Sequence, residues 1–221
     1  RIPTIMPALS IEQALEVTAV HSIAGTLAQR SPLSLLAPIV SPHHTTTQIA
    51  MVGGGSHAIK PGACSLAHYG VLFIDEAPEC GPGVLDSLRQ PLESGTITIA
   101  RSVGNLTFPA QFLLVLAANP CPCGKFTGKG RACICSSLAV RRYLGKLSGP
   151  LMDRIDMRVQ VEPVSRTEMA QTELGESSAD IRARVVAARD TAEARFANES
   201  WKLNSQIPSR ALRTTYKPER A

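Results

Sequence analysis

The sequence has few aromatic residues, no long apolar run and no visible secretory signal. Aromatic side chains make up only 4% of the 221 residues, although 44% are hydrophobic, so the core must be built from aliphatic side chains. No run approaches the roughly 18 apolar residues that a membrane-spanning helix needs, so we expect no membrane partner. Six cysteines without a secretory signal are typical of a reducing compartment, and we expect a cytoplasmic protein.

The charge balance is only slightly basic. Lys and Arg number 23 against 18 Asp and Glu, which gives a net charge of +5. Such an excess permits binding to nucleic acid but does not require it. Many of the basic residues lie between Arg131 and Arg158.

Two apolar runs each end on polar residues that suit a ligand site. Val71 to Ile74 predicts a strand buried on both faces, and Asp75 and Glu76 follow it directly. Residues 112–119 predict a second buried strand, which ends on Asn119. Strands that alternate with helices indicate a three-layer α/β/α sandwich with a mainly parallel sheet, in which ligands bind beyond the carboxyl ends of the strands.

Further helices and a hairpin are predicted around these strands. A capping-box pattern at Ser10 begins a helix that Gly25 ends. Gly104 and Asn105 predict the turn of a β-hairpin. The remaining patterns predict hairpin strands over 96–101 and 106–110, a third buried strand over 157–161, and helices over 84–93, 138–147, 168–174 and 179–197.

The residues at the two strand ends suit the hydrolysis of the phosphoanhydride bond of ATP. Magnesium prefers carboxylate and phosphate oxygens, so Asp75 can hold such an ion against bound phosphates. Glu76 can polarise an attacking water, and the amide of Asn119 can hydrogen-bond that water or the γ-phosphate. The alternative interpretation is that Asp75 and Glu76 merely begin a polar surface loop.

Four cysteines form two C-x-C pairs in one glycine-rich loop. Four thiolates suit tetrahedral zinc, although C-x-C is less diagnostic than C-x₂-C. Structural zinc, free thiols and disulfides therefore all stay open. Cys64 has an apolar setting that indicates a core residue, and the adjacent His43 and His44 do not indicate a metal site. The four candidate zinc ligands are Cys121, Cys123, Cys133 and Cys135.

Four segments of the sequence together carry a family resemblance: PGACSLAHYGVLFIDEAPE, LRQPLESG, FPAQFLLVLAANPCPCG and LSGPLMDRIDMRV. With these segments, in the family's order, the chain resembles the magnesium-chelatase-like AAA+ ATPases, and most closely the bacterial branch typified by the competence-associated DNA helicase. The resemblance covers nearly the whole chain, from about Arg1 to about Arg213.

The resemblance implies a hexameric ATPase that binds ATP and Mg²⁺ at its subunit interfaces. On this basis Asp75 and Glu76 are the Walker B pair and Asn119 is sensor 1. Arg154 is the arginine finger offered to the neighbouring subunit, where a planar cation neutralises charge on the γ-phosphoryl group. The alternative for Arg154 is a surface ion-pair cluster with Asp153 and Asp156.

The resemblance also implies two elements that contact DNA. The family's helix-2 insertion resembles residues 38–63, and its pre-sensor-1 hairpin resembles residues 95–110. In related ring ATPases both elements face the central pore. Lys60 and Arg101 are the cations that could contact DNA here, and the alternative for each is a solvated surface charge.

The sequence departs from the family pattern at both ends. The phosphate cradle G-x-x-x-x-G-K-[ST] does not occur, and GKFTGKG at 124–130 does not fit it. We expect the cradle upstream of Arg1 and a lid cut short after Ala221. We therefore expect an AAA+ core without its P-loop over 1–163, with a cysteine loop over 120–135, and the start of a helical lid over 164–221. This chain alone is then expected to be inactive towards ATP.

We predict that the chain is part of a ring-forming AAA+ ATPase that couples ATP hydrolysis to remodelling or unwinding of DNA in recombination or transformation. Two alternatives stay open. The first is a chelatase-like ATPase that drives metal insertion into a tetrapyrrole through a partner subunit. The second is a degenerate fragment without catalytic activity, which the missing cradle favours for this chain.

Overall fold

The computed structural model of the chain describes residues 2–27, 33–55, 58–81, 83–101, 104–126, 132–162, 164 and 175–217. The chain divides into two compact units, Ala8–Thr172 and Arg1–Pro7 with Glu173–Ala221. The domain boundary that we predict between residues 163 and 164 falls beside residues outside the described ranges, and it stays a prediction.

The larger unit contains most of the helices and all the described strands. Its strands are β1 (Ile39–Val40), β2 (Gly53–Gly54), β3 (Lys60–Pro61), β4 (Val71–Ile74), β5 (Thr96–Arg101), β6 (Gly104–Pro109) and β7 (Leu113–Leu116). The smaller unit contains α1 (Ile2–Ile5), α8 (Ser178–Arg195) and α9 (Ser209–Arg213). The helices of the larger unit are α2 (Ile11–Ala24), α3 (Gln48–Val52), α4 (Ala63–Leu66), α5 (Arg89–Ser94), α6 (Ser137–Leu144) and α7 (Gly149–Met152).

The main sheet has three parallel strands in the order β1-β4-β7. Val40 lies opposite Leu72 in the first pair, and Ile74 lies opposite Leu116 in the second. The carboxyl ends of all three strands therefore meet at one edge of the sheet. This arrangement of a parallel sheet with helices confirms the predicted α/β class, and it is compatible with an incomplete AAA+ core followed by helices.

The core around β4 is aliphatic, as the scarcity of aromatic residues requires. Leu72 and Ile74 are fully buried, and Leu88 and Leu151 pack into the same cluster. Burial of each such side chain contributes about 1.5–3 kcal/mol to folding. Cys64 lies in this cluster, where burial raises the pKa of its thiol to about 12, so it is the unreactive core residue that we predict.

Several helix boundaries follow from capping residues. The hydroxyl of Ser10 accepts a hydrogen bond from the Gln13 N–H at 3.2 Å, and the Gln13 side chain accepts one from the Ser10 N–H at 3.0 Å. Gly25 ends α2 with a φ of 77°, which glycine adopts without strain. Helices α6 and α8 lie where the sequence predicts them. The helix predicted over 168–174 lies outside the described residues.

A hairpin of β5 and β6 lies where the alternating pattern predicts it, but its turn is displaced. Gly104 pairs with Arg101 and Asn105 pairs with Ala100, so both predicted turn residues belong to β6. Residues 102–103, which separate the two strands in the chain, lie outside the described ranges. The sequence pattern therefore predicts the pairing of the strands and misplaces the turn.

The strand predicted over 157–161 is wrong. Residues 157–161 are not in a strand, and Met157, Val159 and Val161 are 78%, 75% and 85% exposed. An alternating apolar pattern predicts a tendency to extend, but a strand also needs a hydrogen-bonded neighbour. None of the described strands pairs with this segment.

None of the described helices is both long and apolar enough to cross a bilayer.

Candidate functional site

The candidate site lies at the sheet edge where β4 and β7 end. The Ala117 N–H donates to the Ile74 carbonyl at 2.9 Å, and the Ala77 N–H donates to the Ala117 carbonyl at 2.9 Å. These two bonds hold the chain segments together just beyond the sheet. Asp75 and Glu76 lie between Ile74 and Ala77, and Asn119 lies two residues beyond Ala117. The structure thus brings the three predicted residues to one edge.

Glu76 occupies a strained turn at the end of β4. Its φ of 49° and ψ of 41° are left-handed, a conformation that costs a residue with a Cβ about 1–2 kcal/mol. The Glu76 N–H donates to Asp75 Oδ1 at 2.9 Å, which helps to fix the turn. Asp75 and Asn119 are exposed and Glu76 is half-buried, so all three can meet a ligand from solvent. Backbone strain of this kind concentrates at functional sites.

His44 joins this edge, and the sequence analysis does not assign it there. Its Nδ1 lies 3.0 Å from Glu76 Oε2. His44 follows β1, which is the neighbour of β4 in the sheet, so both side chains emerge at the same edge. In the sequence His44 lies only four residues beyond Val40, the end of β1, and this short distance is the signal that could have placed it near a strand end. The strand order is also needed, because it shows that β1 lies next to β4.

The four cysteines of the C-x-C pairs form one cluster. The Sγ atom of Cys121 lies 3.4 Å from that of Cys123 and 3.7 Å from that of Cys133. The Sγ atoms of Cys123 and Cys133 are also 3.7 Å apart. Cys135 supplies the fourth sulfur, and all four sulfurs lie within 4.8 Å of one another. Tetrahedral zinc with bonds of about 2.3 Å spaces its sulfurs by about 3.8 Å. The described cysteines are all free thiols, so the cluster fits zinc and forms no disulfide.

The cysteine cluster adjoins the Asn119 end of the site. Cys121 is fully buried and lies two residues beyond Asn119. Hydrogen bonds from the backbone of Ile134 and of Lys125, and from the thiol of Cys121, lower the pKa of the Cys123 thiol to about 6. A backbone hydrogen bond from Cys135 lowers the pKa of Cys133, but burial and hydrogen bonds with the other three thiols outweigh it and raise that pKa to about 12. The metal-free cluster therefore favours a thiolate at Cys123 and a thiol at Cys133.

Tyr143 of α6 packs beside the same edge. It is 4% exposed. Burial raises the pKa of its hydroxyl, the negative charges of Glu79 and Glu76 raise it further, and a hydrogen bond from the backbone of Asn119 opposes them. The tyrosine therefore stays neutral and supports the turn that carries Asn119. The helical, basic pattern of residues 138–147 does not predict this contact.

Arg154 is held within its own chain. Its guanidinium forms an ion pair with Glu93 and donates to the carbonyl of Pro150. Among the described ion pairs its partner is thus Glu93, and not Asp153 or Asp156 as in the alternative interpretation. The described contacts do not bring Arg154 to Glu76 or Asn119.

The two predicted DNA-contacting elements lie side by side. Lys60 is exposed in β3, which pairs with β2 in the 38–63 insertion. A Cβ at Gly53 would lie 3.1 Å from Ile99 Cδ1 of the hairpin and 2.7 Å from the Lys60 carbonyl oxygen, so only glycine fits there. Arg101 ends β5, and its side chain lies outside the described part of the structure.

Comparison with known proteins identifies the family. The family model described as magnesium chelatase, subunit ChlI, matches residues 1–169. The chain belongs to the magnesium chelatase family. A model of the C-terminal part of the same subunit matches residues 175–221. The magnesium chelatase family consists of AAA+-type ATPases, and its members are oligomeric.

Three relatives illustrate the similarity of this magnesium chelatase family member to bacterial proteins. An uncharacterised protein of Mycobacterium tuberculosis is 45% identical over 221 residues, which are 100% of this chain and 43% of that protein. The uncharacterised protein YifB of Escherichia coli is 40% identical over 99% of this chain and 42% of its own length. Competence protein ComM of Haemophilus influenzae is 38% identical over 93% of this chain and 40% of its own length. The chain thus spans less than half the length of these relatives.

Proposed function

We propose that this chain is part of a cytoplasmic, hexameric AAA+ ATPase that couples ATP hydrolysis to remodelling or unwinding of DNA in recombination or transformation. The observation that carries the proposal is the meeting of Asp75, Glu76 and Asn119 at the carboxyl edge of two adjacent parallel strands. The similarity to a competence protein and the exposed Lys60 of the insertion support the DNA part of the proposal.

Each residue of the edge has a distinct role in this proposal. Bound Mg–ATP supplies the reactive phosphoryl group and the cation that neutralises its charge. Asp75 uses Oδ1 to accept the Glu76 N–H, which leaves Oδ2 as an oxygen ligand for Mg²⁺. Glu76 orients a water and accepts its proton, and the Asn119 amide donates to that water or to a phosphate oxygen.

An ATPase site of this kind also needs an arginine finger and a phosphate-binding loop, which the ends of β4 and β7 do not supply. Arg154 acts on the nucleotide of the neighbouring subunit, as an arginine finger. These 221 residues do not contain the G-x-x-x-x-G-K-[ST] pattern, so none of the residues named above is assigned to hold the phosphate chain of ATP.

The DNA part of the proposal predicts a salt-sensitive stimulation of hydrolysis. The test is the ATPase rate of the product of the complete reading frame, with and without branched DNA, at low and moderate salt. We expect several-fold stimulation at low salt that weakens at moderate salt, because contacts to DNA phosphates release counterions. Removing the charge of Lys60 with Lys60→Ala reduces this stimulation while leaving the DNA-free rate unchanged.

The other outcome would favour a second function. The matching family model describes a magnesium chelatase subunit, so a chelatase-like ATPase that works through a partner subunit is the main rival. A substantial rate that DNA does not alter at either salt concentration would contradict a DNA motor and support this rival.

We further propose that the four-cysteine cluster binds one structural zinc ion. The support is the spacing of the sulfurs, which lie 3.4–3.7 Å apart in the three pairs formed by Cys121, Cys123 and Cys133. Four thiolates complete the tetrahedron and leave no open position, so the ion would stabilise the loop and would not take part in hydrolysis. Because the proposed ligand Cys121 lies two residues beyond Asn119, the bound ion would also restrain the position of Asn119 in the proposed ATPase site.

The zinc proposal predicts about one zinc ion per chain in protein purified without added metal. Cys133→Ser is expected to remove the zinc and to lower the melting temperature, because it deletes one of four ligands. Cys80→Ser, which changes a buried cysteine outside the cluster, is the matched control and should keep the zinc. Elemental analysis and thermal melting give the two readouts. A folded, metal-free wild-type protein whose melting temperature a chelator does not alter would contradict the proposal.

A further inference from the structure

Residues 94–152 carry charge of one sign only. They contain seven Lys and Arg side chains and no Asp or Glu, whereas the rest of the chain has 16 basic and 18 acidic side chains. The net positive charge of the protein therefore comes from this one stretch, which includes the cysteine loop (residues 120–135) and α6. Such a concentration of positive charge is the electrostatic pattern of a surface that binds a polyanion.

Helix α6 carries two of these cations on one exposed face. Val140 and Tyr143 are buried, so the opposite side of the helix faces the core. Arg141 and Arg142 are both exposed, and Leu138, which lies three and four residues before them on the same face, is 51% exposed. The ion pairs found among the described residues include neither arginine, so both guanidinium groups can bind phosphate oxygens.

The cysteine loop exposes a basic and an aromatic side chain. Backbone hydrogen bonds from Lys125 and Ile134 to the Cys123 sulfur hold both residues at the cysteine cluster. Lys125 is exposed, the neighbouring Phe126 is 45% exposed, and Ile134 is 89% exposed. A phenyl ring in such a position offers a flat apolar face on which a nucleic-acid base can stack.

The cysteine cluster connects the loop directly to α6. Cys135 belongs to the cluster, and the next residue, Ser136, caps the helix with its hydroxyl, which accepts the Ala139 N–H at 3.2 Å. The helix has eight residues and is therefore about 12 Å long. Arg141 and Arg142 thus lie within one helix length of the cluster, a span of three or four stacked nucleotides at about 3.4 Å each.

We propose that the exposed side of the cysteine loop and the outer face of α6 bind single-stranded DNA. Arg141 and Arg142 bind the phosphates, and a base stacks on Phe126, which requires a base that is not paired. A zinc ion held by four thiolates is negative overall, so Lys125 beside Cys123 balances that charge and the two arginines are the principal phosphate contacts. Only the choice of DNA as the nucleic acid rests on the proposed function, because binding here needs no ATP.

The test is the binding of a labelled oligothymidine to the product of the complete reading frame, without ATP and over a range of salt concentrations. Combining Arg141→Ala with Arg142→Ala should weaken binding and reduce the slope of log K against log salt by about 1.4, because each phosphate contact to a single strand contributes about 0.7. Phe126→Ala should weaken binding about fivefold or more and leave the slope unchanged, because stacking releases no counterions. Phe126→Trp keeps a stacking surface and should retain the affinity.

The matched control combines Arg182→Ala with Arg189→Ala. It removes the same charge from two exposed positions of α8, a helix that also carries Asp180, Asp190 and Glu193. The control should leave the affinity and the salt slope nearly unchanged. The melting temperature of each variant checks that the fold is intact, and all the substituted side chains are exposed.

Three results would overturn the inference. The first is a wild-type protein that does not bind oligothymidine at low salt. The second is a double arginine variant, or Phe126→Ala, that binds with the affinity of the wild type; an accompanying loss of oligomers in sedimentation would assign the surface to a second copy of the chain. The third is an oligouridine that binds more tightly than oligothymidine. A failure of the ATPase proposal would leave these measurements unchanged, because none of them includes ATP.

Discussion

Glu76→Gln is expected to lower ATP turnover by about 10²- to 10⁴-fold while ATP still binds, because this is the usual contribution of a general base. The substitution keeps the size of the side chain and an oxygen that can accept the hydrogen bond of His44. It removes the negative charge and the ability to take a proton from water. The fold should be unaffected, since the residue is half-buried at the end of β4 and belongs to no core cluster.

The measurement is phosphate release at saturating Mg–ATP together with a nucleotide-binding titration. Glu79→Gln is the matched control, because Glu79 follows the same turn and its side chain forms an exposed ion pair with Lys146 at 3.5 Å among the described contacts. This control should keep nearly the full rate. Near-normal turnover in Glu76→Gln would remove Glu76 from its proposed role, whatever the effect of the control.

Arg154→Ala is expected to lower turnover by about 10³-fold or more, which is the effect of removing an arginine finger. The guanidinium is planar and permanently charged, so lysine should replace it poorly. In the single chain Arg154 pairs with Glu93, and a role in the neighbouring subunit requires that it exchange this carboxylate for phosphate oxygens.

The matched control for Arg154 is Arg158→Ala, which removes a nearby guanidinium that donates to the Met152 carbonyl at 3.0 Å. Phosphate release is again the readout, and the sedimentation of both variants checks that they still assemble. If Arg154→Ala assembles normally and keeps most of its turnover, the residue is only the partner of Glu93, and its proposed part in catalysis is wrong.

The sequence alone predicts the part of the site that depends on strand ends. Apolar runs followed by Asp75 and by Asn119 are local patterns, and the parallel sheet then requires the two to meet at one edge. The cysteine cluster is likewise local, because the two C-x-C pairs lie in one loop. In both cases the spacing along the chain carries the relevant physical information.

The contacts that the sequence does not predict join distant segments. His44 meets Glu76 only because β1 is the neighbour of β4, and no local pattern encodes the order of strands in a sheet. Arg154 pairs with Glu93 on α5 although acidic residues lie much closer to it in the chain. The segment 157–161 has the pattern of a strand but no described partner, so its tendency to extend is not realised.

The most direct test of the central claim is the ATPase rate of a mixture of Glu76→Gln and Arg154→Ala subunits. If Glu76 and Arg154 act on one nucleotide from two neighbouring subunits, each variant alone is inactive, whereas the mixture recovers activity. About a quarter of the interfaces in a one-to-one mixture then combine an intact Glu76 with an intact Arg154, because each half of a heterologous interface is drawn at random. The account therefore predicts a rate in the mixture far above that of either variant. A mixture that co-assembles and stays as inactive as its components would contradict it.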